Sequence, residues 1–314
     1  MTVRWGFLGA GFVASRGVAP VVHGSPAAVL QCVAARDLDR AQALDPVRAV
    51  TSYDELCDAD DVDVVYISLP NDAHLAWVER ALAAGKHVLC EKPLALDAGE
   101  VRRMQAAADA SGTLLVEAAW NRWHPRTRRI EQLLADVVPP VDVRTWFTFP
   151  GVPGDNYRLD PARGGGALLD VGCYAIAAAL LGLGDSVSVA HADARTGATG
   201  VDLTVSATLT SDRGTAHVHG SFEEPESQGW HVSAPGLILE APHPAFTSWR
   251  EPSSLRVVVD GAERVEAFDA CDAYALMVDA VSDRAAGGGA WVLPLSTSLA
   301  VATAVDQVRE ASGT

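Results

Sequence analysis

The sequence is short of basic residues. Its 314 residues include 24 Lys and Arg against 40 Asp and Glu, which leaves a formal charge of −16. A surface with this excess of carboxylates repels phosphate backbones and anionic lipid headgroups. Nucleic acids and membrane surfaces are therefore poor candidates for partners.

Paired cysteines and long apolar segments are also lacking. The five cysteines form no CxxC motif and are odd in number, which favours reduced thiols in a cytoplasmic protein. The N-terminus shows no signal-peptide pattern, and the longest uncharged stretch, 285–305, is interrupted by three glycines and Pro294. We therefore expect no targeting or membrane-spanning segment.

The composition that remains is that of a globular enzyme, with 49% hydrophobic and 20% charged residues. The length predicts about two domains, which we place at 1–121 and 122–314. Short Val- and Leu-rich strands are predicted in the first domain at 3–8, 29–35, 62–69, 87–90 and 113–116. Helical patterns at 38–44, 73–84 and 98–110 alternate with them, which predicts an α/β Rossmann domain with a doubly wound parallel sheet.

The second domain shows a different pattern. Strands follow one another closely at 141–149, 187–194, 203–210, 215–222, 236–240 and 255–259. Helices are predicted at 125–135, 167–181, 272–285 and 296–311. We expect an α+β domain with an open, mainly antiparallel sheet.

A glycine-rich turn follows the first predicted strand. Gly9, Gly11 and Ala14 form a GxGxxA motif around Phe12 and Val13. In this position the first glycine allows a tight turn, the second lets the backbone approach a pyrophosphate, and Ala14 allows close helix packing. The motif predicts a dinucleotide-binding site at the start of the first helix.

The end of the second strand bears on the choice of cofactor. Ala35-Arg36-Asp37 stands where the adenosine ribose would lie. A guanidinium at this place would hold the 2′-phosphate of NADP, whereas a carboxylate would accept hydrogen bonds from the free hydroxyls of NAD. Arg36 favours NADP(H) over NAD(H), and Asp37 as the ribose ligand is the alternative.

Two further motifs carry candidate chemistry. Lys92, in Glu91-Lys92-Pro93, follows the predicted strand 87–90 and would point into the crevice at the carboxyl edge of the sheet; the alternative is a solvated lysine paired with Glu91. Asp170 and Tyr174 follow three glycines and share one helix face, where a carboxylate and a phenol could grip a diol and exchange its proton. Alternatively, Asp170 is an ordinary helix-terminus charge and Tyr174 a core aromatic.

Other residues have ambiguous signals. His217 and His219 share a strand face, but no third ligand lies at metal-binding spacing, so we predict no metal site. Trp120, Trp123 and Trp146 could either line a substrate pocket or fill a core. His124 could contact substrate or serve helix entry.

With these motifs in order, the sequence resembles the glucose-fructose oxidoreductase, inositol dehydrogenase and MocA (Gfo/Idh/MocA) family over essentially its whole length. The most specific mark is Glu91-Lys92-Pro93, supported by Ser68 to His74, by Trp123-His124-Pro125 and by the glycine run into Asp170 and Tyr174. Tyrosine at 174 resembles the glucose-fructose oxidoreductase, dihydrodiol dehydrogenase and NADP-linked xylose dehydrogenase branch.

The resemblance implies an active site between a Rossmann domain and a sheet domain that often mediates oligomerisation. It implies reversible hydride transfer between NADP(H) and a secondary alcohol or hemiacetal carbon of a sugar or polyol. Lys92 would stabilise the developing alkoxide, Tyr174 would transfer the proton, and Asp170 would orient a neighbouring hydroxyl or hold Lys92. The implied cofactor contacts are Gly9, Gly11, Phe12, Val13, Ala14, Arg36, Leu69, Pro70, Asn71, His74, Glu91 and Lys92. The implied substrate contacts are Trp120, Arg122, Trp123 and Arg158.

Two other functions stay open. One is a reductase of dihydrodiols, dicarbonyls or sugar nucleotides on the same scaffold. The other is a cofactor-sensing regulator without catalysis, against which the presence of both Lys92 and Tyr174 argues. A homo-oligomer formed through the C-terminal sheet is expected in each case.

Overall fold

A computed structural model describes residues 2–314 of the chain. The chain forms two compact units. The first contains the chain up to Ala95, Gly99–Trp123 and Asp272–Ser298, and the second contains Leu96–Ala98, His124–Cys271 and Leu299–Thr314.

The first unit is built on a six-stranded sheet whose strand pairs are all parallel. Its strands are β1 (Val3–Leu8), β2 (Ala28–Ala34), β3 (Arg48–Val50), β4 (Val64–Ile67), β5 (His87–Cys90) and β6 (Leu115–Glu117). They lie in the order β3-β2-β1-β4-β5-β6. This is the strand order of a dinucleotide-binding sheet. Successive strands are added toward one edge from β1 to β3 and toward the other edge from β4 to β6, so the switch in strand order lies between β1 and β4. The predicted Rossmann domain is confirmed.

The second unit is built on an eight-stranded sheet. Its strands are β7 (Val141–Thr148), β8 (Ser188–Thr196), β9 (Asp202–Ser211), β10 (Gly214–Ser221), β11 (Ser227–Ala234), β12 (Leu237–Ala241), β13 (Ser253–Val259) and β14 (Ala262–Phe268). They lie in the order β14-β13-β12-β11-β7-β10-β9-β8. Only β7 and β10 pair in parallel, so the predicted, mainly antiparallel sheet is confirmed.

The helices are α1 (Ala19–Gly24), α2 (Leu38–Gln42), α3 (Tyr53–Cys57), α4 (His74–Ala83), α5 (Ala98–Ser111), α6 (Pro125–Ala135), α7 (Cys173–Leu183), α8 (Ala273–Ala285) and α9 (Leu295–Ser312). A wide π turn precedes two of them, at Ala14–Val18 before α1 and at Leu168–Gly172 before α7. Such turns inside helices are frequent at functional sites.

The two cores are formed by different elements. In the first unit, β1 buries Trp5, and the indole Nε1 donates to Ser282 Oγ of α8 at 3.1 Å. In the second unit, α7 supplies residues such as Ile176, which pack with Leu209 of β9 and Leu255 of β13. The stretch Pro161–Leu183 is long and apolar enough to cross a membrane, but most of it is buried inside the protein. This burial is the ordinary property of a core helix.

Four elements lack a counterpart among the predictions. Strand β3 and helix α3 lie between the predicted helix 38–44 and the predicted strand 62–69, and they are only three and five residues long. Strand β11 contains Gly229, and β14 is an edge strand that is mostly exposed. Short, glycine-containing and exposed strands give a weak hydrophobic alternation, which is the signal on which the predictions depended.

Candidate functional site

The carboxyl ends of β1, β2, β4 and β5 are joined by backbone hydrogen bonds. Gly9 N donates to Ala34 O at 2.9 Å, Ser68 N donates to Leu8 O at 2.9 Å, and Glu91 N donates to Ile67 O at 3.0 Å. The glycine-rich turn, the segment after β4 and the Glu91-Lys92-Pro93 motif therefore meet at one edge of the sheet. This is the edge at which doubly wound sheets bind ligands.

The glycine-rich turn has the geometry that a dinucleotide requires. Gly9 adopts φ +97°, and a Cβ there would lie 2.4 Å from Ser68 O, so only glycine fits. At Gly11 the nearest atom to an added Cβ is Ser68 Oγ at 3.7 Å, so the space beside the backbone is open. The following Phe12 is 77% exposed, whereas Ala14 is fully buried. An open backbone at the start of a helix fits the pyrophosphate of NAD(P).

The end of β2 distinguishes the roles of two candidate ribose ligands. Asp37 is the N-cap of α2, and its Oδ1 accepts from Asp39 N at 3.0 Å and Arg40 N at 3.3 Å. Arg36 is exposed. Arg40, which the motifs did not single out, donates from Nη2 to Ala10 O of the glycine-rich turn at 2.8 Å. One oxygen of the Asp37 carboxylate is thus committed to capping, while Arg36 is exposed and Arg40 contacts the glycine-rich turn.

Lys92 is half-buried and lies next to two buried carboxylates. Glu91 accepts from the Tyr66 hydroxyl at 2.7 Å, and Glu117, at the end of β6, accepts from Leu94 N at 3.0 Å. Burial raises the pKa of both carboxyls, and the charge of Lys92 acts in the opposite direction. An ammonium group with buried acidic neighbours can offer a directed hydrogen bond to a substrate oxygen.

The segment after β4 is tied to the Glu91-Lys92-Pro93 motif by His74. Leu69 and Pro70 are half-buried, and Asn71 is buried. His74 is fully buried, with Nδ1 3.0 Å from Pro93 O and Nε2 3.0 Å from Leu69 O. Burial lowers the pKa of this imidazole. His74 therefore holds together the two segments from which cofactor contacts are predicted.

The predicted substrate residues of the first unit are all buried. Trp120 stacks on Tyr274 with 4.6 Å between ring centroids, and Trp123 meets Trp291 edge-on at 5.2 Å. Arg122 is 6% exposed. Within this unit these tryptophans have the contacts of core residues, and their predicted contact with substrate stays a prediction.

In the second unit the structure brings Asp170 and Arg158 together. Arg158 Nε donates to Asp170 Oδ2 at 2.7 Å. Burial alone would lower the pKa of Arg158, but the carboxylate outweighs it and the pKa is raised. Tyr174 is 8% exposed, with its ring centroid 5.5 Å from that of Phe147 and 6.0 Å from that of Phe246. The unit therefore contains a guanidinium held by Asp170, just before α7, and the phenol of Tyr174 in the first turn of α7.

The glycine run serves this arrangement by letting backbones pack closely. A Cβ at Gly165 would lie 2.5 Å from Arg158 O, and a Cβ at Gly166 would lie 2.1 Å from Asp202 Oδ1. Asp202 is buried and accepts from Leu168 N at 2.6 Å, which satisfies the start of the helical segment. Burial raises the pKa of Asp202. The glycines thus let this segment pack closely against the Arg158 backbone, to which Gly166 N donates at 2.9 Å, and against the Asp202 side chain.

His124 caps α6 with an uncharged imidazole. Its Nδ1 accepts from Arg126 N at 3.1 Å, and burial together with the Arg126 charge lowers the pKa of His124 from 6.5 to about 4. The unfolded chain binds this proton near pH 6.5, whereas the folded chain does not until about pH 4. The free energy of unfolding therefore falls as the pH drops between these values.

His124→Asn is expected to reduce this acid sensitivity, because the amide Oδ1 can cap the helix and does not titrate. Between pH 7 and pH 5 the variant should lose about 1–2 kcal/mol less unfolding free energy than the parent. Urea unfolding at both pH values measures the difference. His191→Asn, which removes an exposed imidazole, is the control, and an equal loss in the parent and in His124→Asn would contradict the assignment.

The remaining histidine candidates lie on the face of the second sheet. His217 Nδ1 is 3.2 Å from Thr208 Oγ1, and His219 Nδ1 is 2.8 Å from Ser206 Oγ. Among residues 2–314 no group of three or more His, Cys, Asp or Glu side chains is suited to a metal ion.

The sequence analysis did not single out four residues that lie near the candidate sites: Arg40, Tyr66, Glu117 and Asp202. A signal existed for Glu117, because a carboxylate that ends a buried strand lies at the ligand-binding edge. A signal also existed for Arg40, because it lies four residues after Arg36 in the sequence. The contacts of Tyr66 and Asp202 join segments more than twenty residues apart and left no local pattern.

Two family models match this chain. One describes an oxidoreductase family with an NAD-binding Rossmann fold and matches residues 3–118. The other describes the GFO/IDH/MocA C-terminal domain and matches residues 136–235. Together they cover more than half of the chain, including the whole first sheet and strands β7 to β11 of the second.

Individual proteins are similar over longer ranges. A D-xylose 1-dehydrogenase (NADP(+)) of Haloferax volcanii is 36% identical over 322 aligned positions, which cover 99% of this chain and 98% of that protein. A trans-1,2-dihydrobenzene-1,2-diol dehydrogenase of Sus scrofa is 37% identical over 71% of this chain and 68% of that protein. The crystal structure of a 3-ketoreductase from Actinomadura kijaniata in complex with NADP and TDP-benzene has a TM-score of 0.91 and 30% identity, and covers 99% of this chain and 98% of that one. The chain belongs to the Gfo/Idh/MocA family of NAD(P)-dependent oxidoreductases, acting on CH–OH groups.

Proposed function

We propose that this chain is an NADP-dependent dehydrogenase or reductase of a sugar, polyol or related diol. The observation that carries the proposal is Lys92 at the carboxyl end of β5, beside buried Glu91 and Glu117. The similar xylose and dihydrodiol dehydrogenases support the substrate class. Tyr174, Asp170 and Arg158 supply the groups of the second unit.

The proposed chemistry divides between the two units. NADP(H), when bound, supplies or accepts hydride at its nicotinamide ring. Lys92 donates to the substrate oxygen and stabilises negative charge there as the C–H bond breaks or forms. Tyr174 takes the hydroxyl proton as its phenolate in oxidation and returns it as its phenol in reduction. Asp170 holds Arg158 ready to donate to a neighbouring substrate oxygen.

A screen of substrates tests this function directly. NADPH absorbance is followed with aldoses, polyols, inositols, dihydrodiols and keto sugars, each with both cofactors and in both directions. We expect turnover with at least one sugar or diol and faster turnover with NADP(H). Tight NADPH binding without turnover of any compound would overturn the proposal in favour of a cofactor-sensing regulator.

A sugar-nucleotide ketoreductase is the second candidate. It is favoured by the similarity over nearly the whole chain to a ketoreductase bound to TDP-benzene. Under this function TDP would bind and protect the chain against thermal unfolding, whereas a dehydrogenase of free sugars would show no protection. The same thermal measurement with xylose and with a dihydrodiol separates the candidates.

The preference for NADP rests on Arg36 and Arg40. Arg36→Ala is expected to raise the Kd for NADPH about tenfold or more and to leave the Kd for NADH within about twofold, because a charge-assisted bond to the 2′-phosphate contributes about 1.5–3 kcal/mol. Fluorescence titration measures both constants. Arg102→Ala, which removes an exposed charge from α5, is the control. Equal losses for the two cofactors would show that Arg36 does not read the phosphate.

Three further features belong to the proposal. We propose a cytoplasmic enzyme without nucleic-acid or membrane partners, as the acidic composition favours. We also propose a homo-oligomer formed through the eight-stranded sheet.

A further inference from the structure

The loop 243–247, between β12 and β13, is held by a buried arginine. Arg126, in the first turn of α6, is 2% exposed. Its Nη2 donates to Pro244 O and to Ala245 O, both at 2.7 Å, and its Nη1 lies 3.5 Å from Ser254 O. Burial lowers the pKa of this guanidinium to about 10. The guanidinium thus donates to two backbone carbonyls of the loop and to one at the start of β13.

A buried glutamine holds the same loop by its amides. Gln228, on β11, is 2% exposed, and its Oε1 accepts from Phe246 N at 2.9 Å and from Thr247 N at 3.1 Å. Its Nε2 donates to Thr247 Oγ1 at 2.6 Å. Arg126 therefore binds the carbonyl groups of residues 244 and 245, and Gln228 binds the amide groups of the next two residues. We name Arg126 and Gln228 together the loop clamp.

One aromatic ring of the clamped loop, that of Phe246, packs against the candidate catalytic tyrosine, Tyr174. Phe246 is 3% exposed, and its centroid lies 6.0 Å from Tyr174 and 6.3 Å from Trp230. On another side, Tyr174 meets Phe147 at 5.5 Å. Phe147 belongs to β7 and is placed by the sheet. Phe246 lies outside the strands. Its ring stacks on Phe147 with 6.2 Å between centroids, and its backbone is held by the loop clamp, which therefore contributes to its contact with Tyr174.

We propose that Arg126 and Gln228 are positioning residues for Tyr174, holding Phe246 against the phenol ring and so fixing the direction of its hydroxyl. The inference rests on the proposed function of Tyr174 in proton transfer. Burying a guanidinium and an amide costs desolvation that apolar side chains would not incur. A gain in stability therefore does not explain why Arg126 and Gln228 are buried here. Precise placement of Tyr174 does explain it, because proton transfer requires the phenol oxygen within hydrogen-bond reach of the substrate.

Kinetics of matched variants give the first test. Arg126→Met and Gln228→Leu should each lower kcat about tenfold or more and leave the Kd for NADPH within about twofold. The conservative variants Arg126→Lys and Gln228→Glu keep part of the bonds and should recover part of kcat. Arg129→Met is the control, because Arg129 lies on the same helix but pairs with Glu266 at 2.8 Å. An unchanged kcat in both Arg126→Met and Gln228→Leu would overturn the inference.

A spectroscopic test does not depend on turnover. The chain has five tyrosines, so 13Cζ-tyrosine labelling gives few NMR signals, and the signal missing from Tyr174→Phe identifies Tyr174. Arg126→Met and Phe246→Leu should shift or broaden that signal, whereas Arg129→Met should not. Phe246→Leu keeps the loop clamp and serves if Arg126→Met does not fold. A Tyr174 signal unmoved in folded variants overturns the loop clamp even where the parent is active. A parent without turnover overturns the proposed function, and the NMR result still decides the inference.

Discussion

Lys92→Ala is expected to cut turnover at least about a hundredfold while the Kd for NADPH changes by no more than a few fold. The ammonium group is a cation that acts on both buried Glu91 and buried Glu117, at the edge where the strand ends meet. Its loss removes the stabilisation of the developing alkoxide, an effect of a few kcal/mol at such sites. The binding of NADPH should survive, because the glycine-rich turn and Arg36 are untouched.

The measurement combines single-turnover kinetics with fluorescence titration of NADPH. Lysine is rare in this chain, with Lys86 as the other example, and this provides a matched control. Lys86 Nζ donates to Ala59 O at 2.6 Å and to Val62 O at 3.0 Å. Lys86→Met should lower stability and leave turnover unchanged. Turnover near the parent's in Lys92→Ala would remove Lys92 from the mechanism.

A second prediction separates the effect of Lys92→Ala on stability from its effect on turnover. The variant removes the Lys92 charge, which favours the charged forms of Glu91 and Glu117, and leaves Arg122 as the cation that acts on Glu117. Adding Glu117→Gln to Lys92→Ala should therefore recover stability and not turnover. Recovery of turnover in the double variant would mean that the lysine acts only by neutralising Glu117.

Much of the first unit could be predicted from the sequence because its signals are local. The strands β1 and β5 have the predicted limits, since a buried parallel strand is a short apolar run bounded by turn residues. Gly9 and Lys92 follow directly from strand ends, so finding the strand also places the motif at the sheet edge.

The features that escaped prediction depend on contacts between distant segments. Gly229 in β11 weakens the strand pattern, and the structure shows why glycine is there: a Cβ would lie 2.1 Å from the ring of Trp146. Similarly, α8 joins the first unit through contacts such as Ser282 with Trp5. A helical pattern shows that a face is apolar but not which surface covers it.

The sequence predicts candidate reactive groups for the site but not the side chains that hold them in place. Lys92, Asp170 and Tyr174 stand in motifs, whereas the partners of Tyr66 and Arg126 are supplied only by the fold. The pairing of Arg158 with Asp170 changes the expectation for that carboxylate, from an orienting group for substrate to the anchor of a guanidinium. Hydrogen bonds between side chains far apart in sequence have no periodicity, so pattern reasoning cannot find them.

Tyr174→Phe is expected to lower kcat at least about a hundredfold, with little change in stability or in the Kd for NADPH. The substitution removes one hydroxyl, the proposed proton donor and acceptor, and general acid–base groups typically contribute 10²–10⁴-fold. The phenyl ring keeps its neighbours Phe147 and Phe246, so the packing of α7 should be unchanged. Steady-state kinetics and thermal unfolding of the two proteins measure the effect.

Tyr53→Phe is the matched control for the lost phenol. Tyr53 lies in α3, where its ring meets Trp77 edge-on at 5.0 Å, and its hydroxyl has no role in the proposed chemistry. It should retain the parent's kcat. If Tyr174→Phe also retains kcat, the proton must leave through another group. Because Asp170 is engaged by Arg158, Lys92 would then provide both the charge stabilisation and the proton transfer. Lys92→Ala would in that case lose more turnover than if Tyr174 transferred the proton.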